Sequence, residues 1–379
     1  MDFQLTEEQQ MLKEMARDLA DRVIAPRAEH LDKTGEYPME NFKVLAENGL
    51  LGIPFSEEYG GAGADYVSYV IALEEICRAC ASTGVTMSVQ TSLASAPLNQ
   101  FGTHEQKLKY LKPLLEGEKI GAYSLSEVGA GTDAASLKCR AVKDGDDYVL
   151  TGTKMWVSNG YYADTYIVFA TLDPSLGAKG ITAFIVEKGT PGFTFGKKED
   201  KLGIRASSTY ELVFDGCRVP AANRLGDEGQ GFKIAMWTLD GGRIGISAQA
   251  LGIAQAALDQ AVKYTQERKQ FGKSISDNQA IQFYLAEMAT DIEAARLLMY
   301  RAASLKDQGK NHTQAASMAK LMASETAMWV STKGVQLHGG YGFTTDFPAE
   351  RFMRDAKITE IYEGTSEVQR MVIARNELA

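Results

Sequence analysis

The sequence predicts an α+β fold of three consecutive domains: an N-terminal α-helical domain over residues 1–120, a middle antiparallel β domain over 121–230 and a C-terminal helical bundle over 231–379. Two observations predict it. Apolar residues recur at helical spacing in the first and last parts of the chain. Between them, short β-branched and aromatic runs alternate with turn signals. The 379 residues suffice for two or three domains with a sizeable core.

Helical segments account for the N-terminal domain. Apolar residues over 12–19 share one helical face, and those over 42–50 have the same spacing. Two further helices are predicted over 67–81 and from about 104 to 117. The loop over 57–65 is rich in glycine, but it lacks the third glycine of a G-x-G-x-x-G motif and a preceding strand. The sequence therefore does not predict a Rossmann nucleotide site there.

Strands account for the middle domain. Aspartate–glycine and proline–glycine turn signals separate four short runs with strand composition. These runs cover residues 148–150, 166–170, 181–186 and 210–214. Because no helical pattern lies between them, an antiparallel sandwich or barrel is expected rather than a β–α–β array.

Long helices account for the C-terminal domain. Apolar residues from Ile281 to Met299 lie along one face of a predicted helix of roughly 25 residues, as in a helix bundle. Several such helices carry more apolar face than one bundle covers, which suits self-association.

Charge and hydropathy exclude several classes of function. The 40 basic and 49 acidic residues give a net charge of −9, which argues against nucleic acid or an anionic membrane as the main partner. No apolar run is long enough to predict a membrane span. The N-terminus is acidic and lacks a leader pattern, so a bacterial cytoplasm is expected. A mitochondrial matrix location would require a presequence that this sequence does not contain.

The four cysteines agree with a reducing compartment. Cys77 and Cys80 form a C-x-x-C within the helix predicted over 67–81 and are open to two interpretations, a redox or metal half-site or a pair of buried thiols. No second pair completes a zinc set, so buried thiols are favoured. The histidines are scattered without metal spacing and no G-x-S-x-G elbow occurs, so no metal site is predicted.

The stretch 361–370 predicts a tight turn that opens a helix. Ser366 and Gln369 have the spacing of a capping box, and apolar residues continue behind them at helical spacing. Glu363 then lies just outside a helix N-terminus, next to Gly364. A carboxylate there is either a structural cap or a general base, and geometry alone favours the cap.

Five other motifs carry residue types that bind cofactors, and each has a structural alternative. Residues 123–133 combine glycines and hydroxyls that suit a polar ring edge or phosphate, or a surface turn. The tryptophan and hydroxyl within 154–160 suit a stacked aromatic ligand or a core position. The charged pair within 239–243 suits a ligand or is a solvated pair. The basic stretch 267–273 suits a ligand or is an exposed helix end, and the glycine-rich stretch 336–343 suits a ligand or merely stops a helix.

Together and in this order, the motifs resemble the acyl-CoA dehydrogenase family along essentially the whole chain. Both family signatures are present, 125–133 and 336–342, the second followed by Asp346, Arg351 and Asp355. The chain is most similar to the short-chain, butyryl-CoA branch through 238–243 and 361–367. The resemblance implies two helical domains and a β domain that enclose FAD in a homotetramer. It also implies an acyl-CoA substrate and an electron-transferring flavoprotein as the electron acceptor.

The resemblance also implies roles for individual residues. Glu363 would remove the α-proton of the acyl thioester while the β-hydrogen leaves as hydride to flavin N5. The substrate contacts would be Thr132, Asp240, Arg243 and Gly364. The β-domain residues that bind the flavin would be Tyr123, Leu125, Ser126, Gly131, Thr132, Trp156, Val157 and Ser158. The ADP contacts, made across a subunit interface in relatives, would be Arg268, Phe271 and Gln279. The rest of the FAD site would be Gln336, Leu337, Gly339, Gly340, Thr365 and Glu367.

One comparison within the family bears on the base. Isovaleryl- and long-chain-type relatives carry their base at the position of Gly242. Glycine has no side chain that could act as a base, so the resemblance leaves this role to Glu363.

Two other functions remain open: a related enzyme with another acyl group or an added decarboxylation, such as a glutaryl-CoA type, and a non-catalytic flavin or acyl-CoA scaffold. The sequence does not decide whether the reaction runs as a dehydrogenase or as a crotonyl-CoA reductase.

Overall fold

A computed structural model describes residues 4–378; residues 1–3 and Ala379, which belong to the predicted first and last domains, lie outside the described residues. Helices form the part of the chain before the sheet, and π-helical turns at Ala20–Ile24, Val89–Ser95 and Lys107–Leu111 join several of them end to end. These helices are α1 Glu7–Leu19, α2 Ala25–Thr34, α3 Met39–Glu47, α4 Tyr66–Ala79, α5 Ala81–Ser88, α6 Ala96–Phe101, α7 His104–Gln106 and α8 Lys112–Leu115.

The prediction of one helix over 67–81 is wrong at the C-terminal end of that helix. Helix α4 ends at Ala79, Cys80 is extended with φ −155° and ψ 105°, and α5 begins at Ala81. The chain folds back so closely that a Cβ on Gly84 would lie 2.0 Å from the Cys77 sulfur. Apolar periodicity continues across this break, so the pattern does not reveal it. Both thiols are buried and free, and burial raises the pKa of Cys77 well above its ordinary value.

An eight-stranded sheet forms the middle of the chain. Its strands are β1 Gly121–Ser124, β2 Arg140–Asp144, β3 Asp147–Ser158, β4 Thr165–Thr171, β5 Ile181–Glu187, β6 Phe193–Lys198, β7 Thr209–Pro220 and β8 Arg224–Leu225. The strand order is β6-β7-β3-β2-β4-β5-β8, with β1 paired to β4. Most pairs are antiparallel, as predicted, but β1 and β2 each run parallel to β4. Composition and turn signals identify strands without giving their partners, so these two parallel pairings were not predictable.

Five helices and a small hairpin follow the sheet in the described part of the chain, which ends at residue 378. The helices are α9 Gly231–Glu267, α10 Gln279–Asp307, α11 Thr313–His338, α12 Ala349–Thr359 and α13 Ser366–Glu377, and the hairpin strands are β9 Lys269–Gln270 and β10 Lys273–Ser274. Helix α9, with 37 residues, packs against α11, α4 and β5 and so connects all three regions. A Cβ on Gly252 would lie 2.5 Å from the Glu74 carbonyl oxygen, which shows how closely α9 and α4 approach.

The observed architecture confirms the predicted fold class of helical, β and helical parts. Between residues 4 and 378, no helix is long and apolar enough to cross a lipid bilayer. Over the same residues, no group of three histidine, cysteine, aspartate or glutamate side chains is placed to hold a metal ion.

Candidate active site around Glu363

Glu363 lies in the turn between α12 and α13. Glu363 and Gly364 both have left-handed backbones, with φ of 52° and 95°. The predicted capping box at Ser366 is wrong: the N-cap is Thr365, whose side chain accepts from the Val368 N–H at 3.4 Å. The Gln369 amide donates instead to the carbonyls of Glu363 and Gly364, at 3.3 and 2.8 Å. Since Thr365 caps the helix, the Glu363 carboxylate is left for another role.

The Glu363 carboxylate is held in a desolvated place without a hydrogen-bond partner. The residue as a whole is half-buried, but its Oε2 atom is inaccessible and unpaired within the described part of the chain. Burial raises the pKa of Glu363 from 4.5 to about 7, and the nearby charges of Lys320 and Arg243 oppose the rise. A carboxyl group that titrates near neutral pH is suited to general base catalysis.

The residue of helix α9 that lies against this carboxylate is a glycine, Gly242. A Cβ on Gly242 would lie 2.0 Å from the Glu363 Oε2 atom and 3.0 Å from a methyl carbon of Leu93. The Tyr66 hydroxyl donates to the Gly241 carbonyl at 3.3 Å and contacts the Ser92 hydroxyl at 3.2 Å, which fixes this part of α9. Any side chain at 242 therefore displaces Glu363.

Two buried cations flank the carboxylate. Arg243, from the predicted substrate set, pairs with Asp240 at 2.6 Å and contacts the Ser317 hydroxyl at 3.4 Å. Asp240 also accepts from the Thr313 hydroxyl at 2.6 Å, so its carboxylate is doubly held. The second cation, Lys320, was not predicted and donates to the Gly364 carbonyl at 2.8 Å. Burial lowers the pKa of Lys320 to about 8.

The position of Lys320 in the sequence indicates that this lysine is buried, although the sequence analysis did not single it out. It lies on α11 among alanines, and Ala316, Ala319 and Ala323 are all buried. A single lysine on such a face is itself buried and needs an acceptor. The periodicity gave no indication of which acceptor that would be, because Gly364 belongs to a distant turn.

Among the predicted flavin-binding residues of the β domain, Leu125 and Ser126 lie beside the C-terminal part of β3, which carries Trp156, Val157 and Ser158. The amide of Met155 donates to the Ser126 carbonyl at 2.9 Å, which joins β3 to the turn that follows β1. Beside it Trp156 is 58% exposed and has a left-handed backbone with φ 63°, whereas Val157 is buried in the core. Tyr123 is half-buried and Leu125 buried, and Ser126 and Ser158 are half-buried. Gly131 and Thr132 are exposed beyond the turn.

A buried ion pair that sequence reasoning missed supports this turn. The ammonium of Lys154 donates to Glu127 at 2.8 Å and to the Leu125 carbonyl at 3.0 Å. Glu127 also accepts from the amides of Lys138 and Cys139, at 2.7 and 2.9 Å. The charge of Lys154 is thus satisfied inside the protein, and the backbone beneath the turn is fixed. The sequence indicates this pair only through the presence of a lysine, Lys154, in the middle of a strand.

Five of the remaining predicted residues form a second group. Arg268, Gln336, Leu337, Gly339 and Gly340 line an open groove of about 460 Å³, together with Tyr264 and His338. Phe271 at the hairpin is fully exposed with φ 52°, and Gln279 begins α10. Gln336 lies about 24 Å along α11 from Lys320, at 1.5 Å per residue. Within one chain this group is therefore separate from the cluster around Glu363, whereas Thr365 and Glu367 lie beside Glu363 at the start of α13.

Comparisons with known proteins agree with this architecture. The N-terminal, middle and C-terminal domain models of acyl-CoA dehydrogenase match residues 6–118, 122–217 and 229–378. The chain is 55% identical to the short-chain specific acyl-CoA dehydrogenase of Clostridium acetobutylicum, over 99% of both chains.

Two solved structures are also similar over their full lengths. One is butyryl-CoA dehydrogenase from Megasphaera elsdenii, with 52% identity, a TM-score of 0.98 and 100% of each chain covered. The other is a chain from work on the electron transferring flavoprotein of Acidaminococcus fermentans, with 55% identity, a TM-score of 0.99 and the same coverage. The chain therefore belongs to the acyl-CoA dehydrogenase family.

Proposed function

We propose that this protein is an FAD-dependent dehydrogenase of short-chain acyl-CoA thioesters, which interconverts butyryl-CoA and crotonyl-CoA with Glu363 as the base. The observation that carries the proposal is the unpaired, inaccessible Oε2 atom of Glu363, whose pKa burial raises to about 7. The identity with short-chain relatives supports the acyl-chain assignment.

The environment of Glu363 suits proton abstraction from a weak carbon acid. The α-hydrogen of a thioester is far less acidic than a glutamic acid, so the base must be made stronger and the forming enolate must be stabilised. Burial strengthens the base. An acyl chain that entered the pocket would exclude water and strengthen it further. The Glu363 N–H has no acceptor among the described residues, so it is free to donate to the thioester carbonyl.

The residues near the turn fit a flavin. An aromatic as large as Trp156, 58% exposed on a left-handed backbone, offers a flat face to a ring system. A Cβ on Gly129 or Gly131 would meet no atom within 4 Å, so the adjacent backbone is open to a ligand. When bound there, FAD would accept the β-hydrogen as hydride at N5. Ser126 and Ser158 supply hydroxyl groups for its polar edge.

The second group of residues suits the ADP half of the cofactor. In a homotetramer, these residues would contact the FAD that is bound by a neighbouring subunit. Gly339 and Gly340 leave their backbone open, since a Cβ on either would meet no atom within 4 Å. Arg268 in the same groove offers a cation for a pyrophosphate. The fully exposed Phe271 makes an unusual surface residue but a suitable contact for another chain. The homotetramer and the domain boundaries after residues 120 and 230 remain predictions.

An electron-transferring flavoprotein is the proposed electron acceptor. The proposal rests on family membership, with one similar solved chain coming from work on such a flavoprotein. The direction of the reaction depends on the potential of this partner, because the chemistry is reversible.

Anaerobic titration with acyl-CoAs of different length tests the function. The purified protein should carry FAD, and butyryl-CoA should bleach its visible absorbance at a higher rate than isobutyryl-, octanoyl- or glutaryl-CoA. A higher rate with glutaryl-CoA, accompanied by carbon dioxide release, would assign the decarboxylating function instead. A protein that binds acyl-CoA without bleaching would be a scaffold.

A further inference from the structure

Two side chains from different helices hold the carbonyl that follows Glu363. The ammonium of Lys320, from α11, donates to the Gly364 carbonyl at 2.8 Å. The amide of Gln369, from α13, donates to the same oxygen at 2.8 Å. Both side chains are fully buried. The turn that carries the carboxylate is therefore fixed by a matched pair of hydrogen bonds, and only one of the two donors is charged.

The charge of Lys320 has no carboxylate partner within ion-pair distance in residues 4–378, although Glu360 and Glu367 act on it from farther away. Arg243 differs, because Asp240 pairs with it directly at 2.6 Å. An ammonium that no carboxylate neutralises at contact distance still acts on other charges nearby. The charge that acts most strongly on Lys320 is Glu363.

The other groups around Glu363 are less able to stabilise its ionised form. The ionisable side chains that interact with it from the surrounding elements are Tyr66 and Tyr69 on α4, Tyr123 on β1, Arg243 on α9, Lys320 on α11 and Tyr362 in the turn. Burial raises the pKa of each of these tyrosines, so they are neutral near pH 7. Of the two cations, Lys320 contributes more than Arg243 to keeping Glu363 ionised.

We propose that Lys320 is a positioning residue for Glu363. Its hydrogen bond to the Gly364 carbonyl fixes the turn that carries the carboxylate, and its ammonium keeps that carboxylate ionised inside the protein. The catalytic meaning of this role rests on the proposed function, but the effect on the ionisation of Glu363 does not.

Three variants separate charge from hydrogen bonding. Lys320→Met removes the donor and the charge, and Lys320→Gln removes the charge but keeps an N–H donor. Gln369→Met removes the hydrogen bonds to the Gly364 and Glu363 carbonyls, at 2.8 and 3.3 Å, without changing charge. The readout is the pH midpoint of Glu363 in the holoprotein without substrate. It is followed by the infrared carbonyl band of the protonated carboxyl, which is assigned by its loss in Glu363→Gln.

Both Lys320 variants should raise this midpoint by about one pH unit, as expected for the loss of a nearby opposite charge, while Gln369→Met should leave it in place. Bleaching by butyryl-CoA at pH 7 should then be about fivefold slower in Lys320→Gln, because the ionised fraction falls from about a half to about a tenth. An unchanged midpoint in Lys320→Gln, or an equal shift in Gln369→Met, would overturn the proposal. Because the midpoint is measured without turnover, it remains a test if Glu363→Gln still bleaches and the proposed function fails. Lys320→Gln retains a donor to the turn and so serves as the test if Lys320→Met does not fold.

Discussion

Burial of the Glu363 carboxylate has a cost in stability that a single substitution should remove. Its pKa is 4.5 in an ordinary setting and about 7 in the folded protein. Between these values the folded state binds more protons than the unfolded state, so stability falls as the pH rises. The contribution is fully present below about pH 4.5 and is lost as the pH passes through about 7. At about 1.4 kcal/mol for each pKa unit, the loss at alkaline pH is about 3 kcal/mol.

The change Glu363→Gln keeps the shape of the side chain but cannot ionise. The variant should therefore match the natural protein in stability near pH 4.5 and exceed it by an amount that grows to about 3 kcal/mol above pH 7. Thermal melting of the two holoproteins from pH 4.5 to pH 9 measures this difference, which corresponds to several degrees in melting temperature.

Glu367→Gln is the matched control for this experiment. It lies four residues along the chain, and its backbone and side-chain hydrogen bonds lower the pKa of its carboxyl. Removal of that carboxylate should give no gain at alkaline pH. A constant difference between Glu363→Gln and the natural protein at every pH would refute the reasoning, because it would show that Glu363 does not titrate as a buried acid.

Three further substitutions test the geometry. Gly242→Ala places a methyl group on the Glu363 carboxylate and should slow flavin bleaching on the order of 10²-fold; an unchanged rate would show that the two residues do not face each other. Lys154→Met leaves the buried Glu127 without its countercharge and should destabilise the protein by about 3–5 kcal/mol, seen as a lower melting temperature and lost FAD; an unchanged melting temperature would contradict the role of the pair. Trp156→Ala should weaken FAD binding about fivefold, because about 1 kcal/mol of ring stacking is lost. Fluorescence titration of the apoprotein with FAD measures this affinity, and an unchanged affinity would exclude the stacking.

Periodicity predicted the order of helical, β and helical parts because these elements bury one face in a regular way. It did not predict the end of α4, since Cys80 occupies an extended position within an unbroken apolar pattern. It also did not predict that β1 and β2 run parallel to β4, because strand partners depend on contacts between distant segments.

The candidate site was predictable only in part, and for a similar reason. Motifs and the family resemblance identified Glu363, Gly242 and Arg243, and the structure brings these three together. The supporting charges were missed, because Lys154 and Lys320 acquire their roles from acceptors far away in the sequence. The helix cap was placed one residue too late, since serine is by residue type a better N-cap than threonine, which favours Ser366 over Thr365.

The central claim is that Glu363 removes the α-proton. Stopped-flow mixing of butyryl-CoA with the FAD-loaded protein, in the natural form and as Glu363→Gln, tests it most directly. We expect rapid bleaching of the natural protein and none in the variant, with FAD content and butyryl-CoA binding retained. Bleaching of Glu363→Gln at the natural rate would contradict the account and require another base.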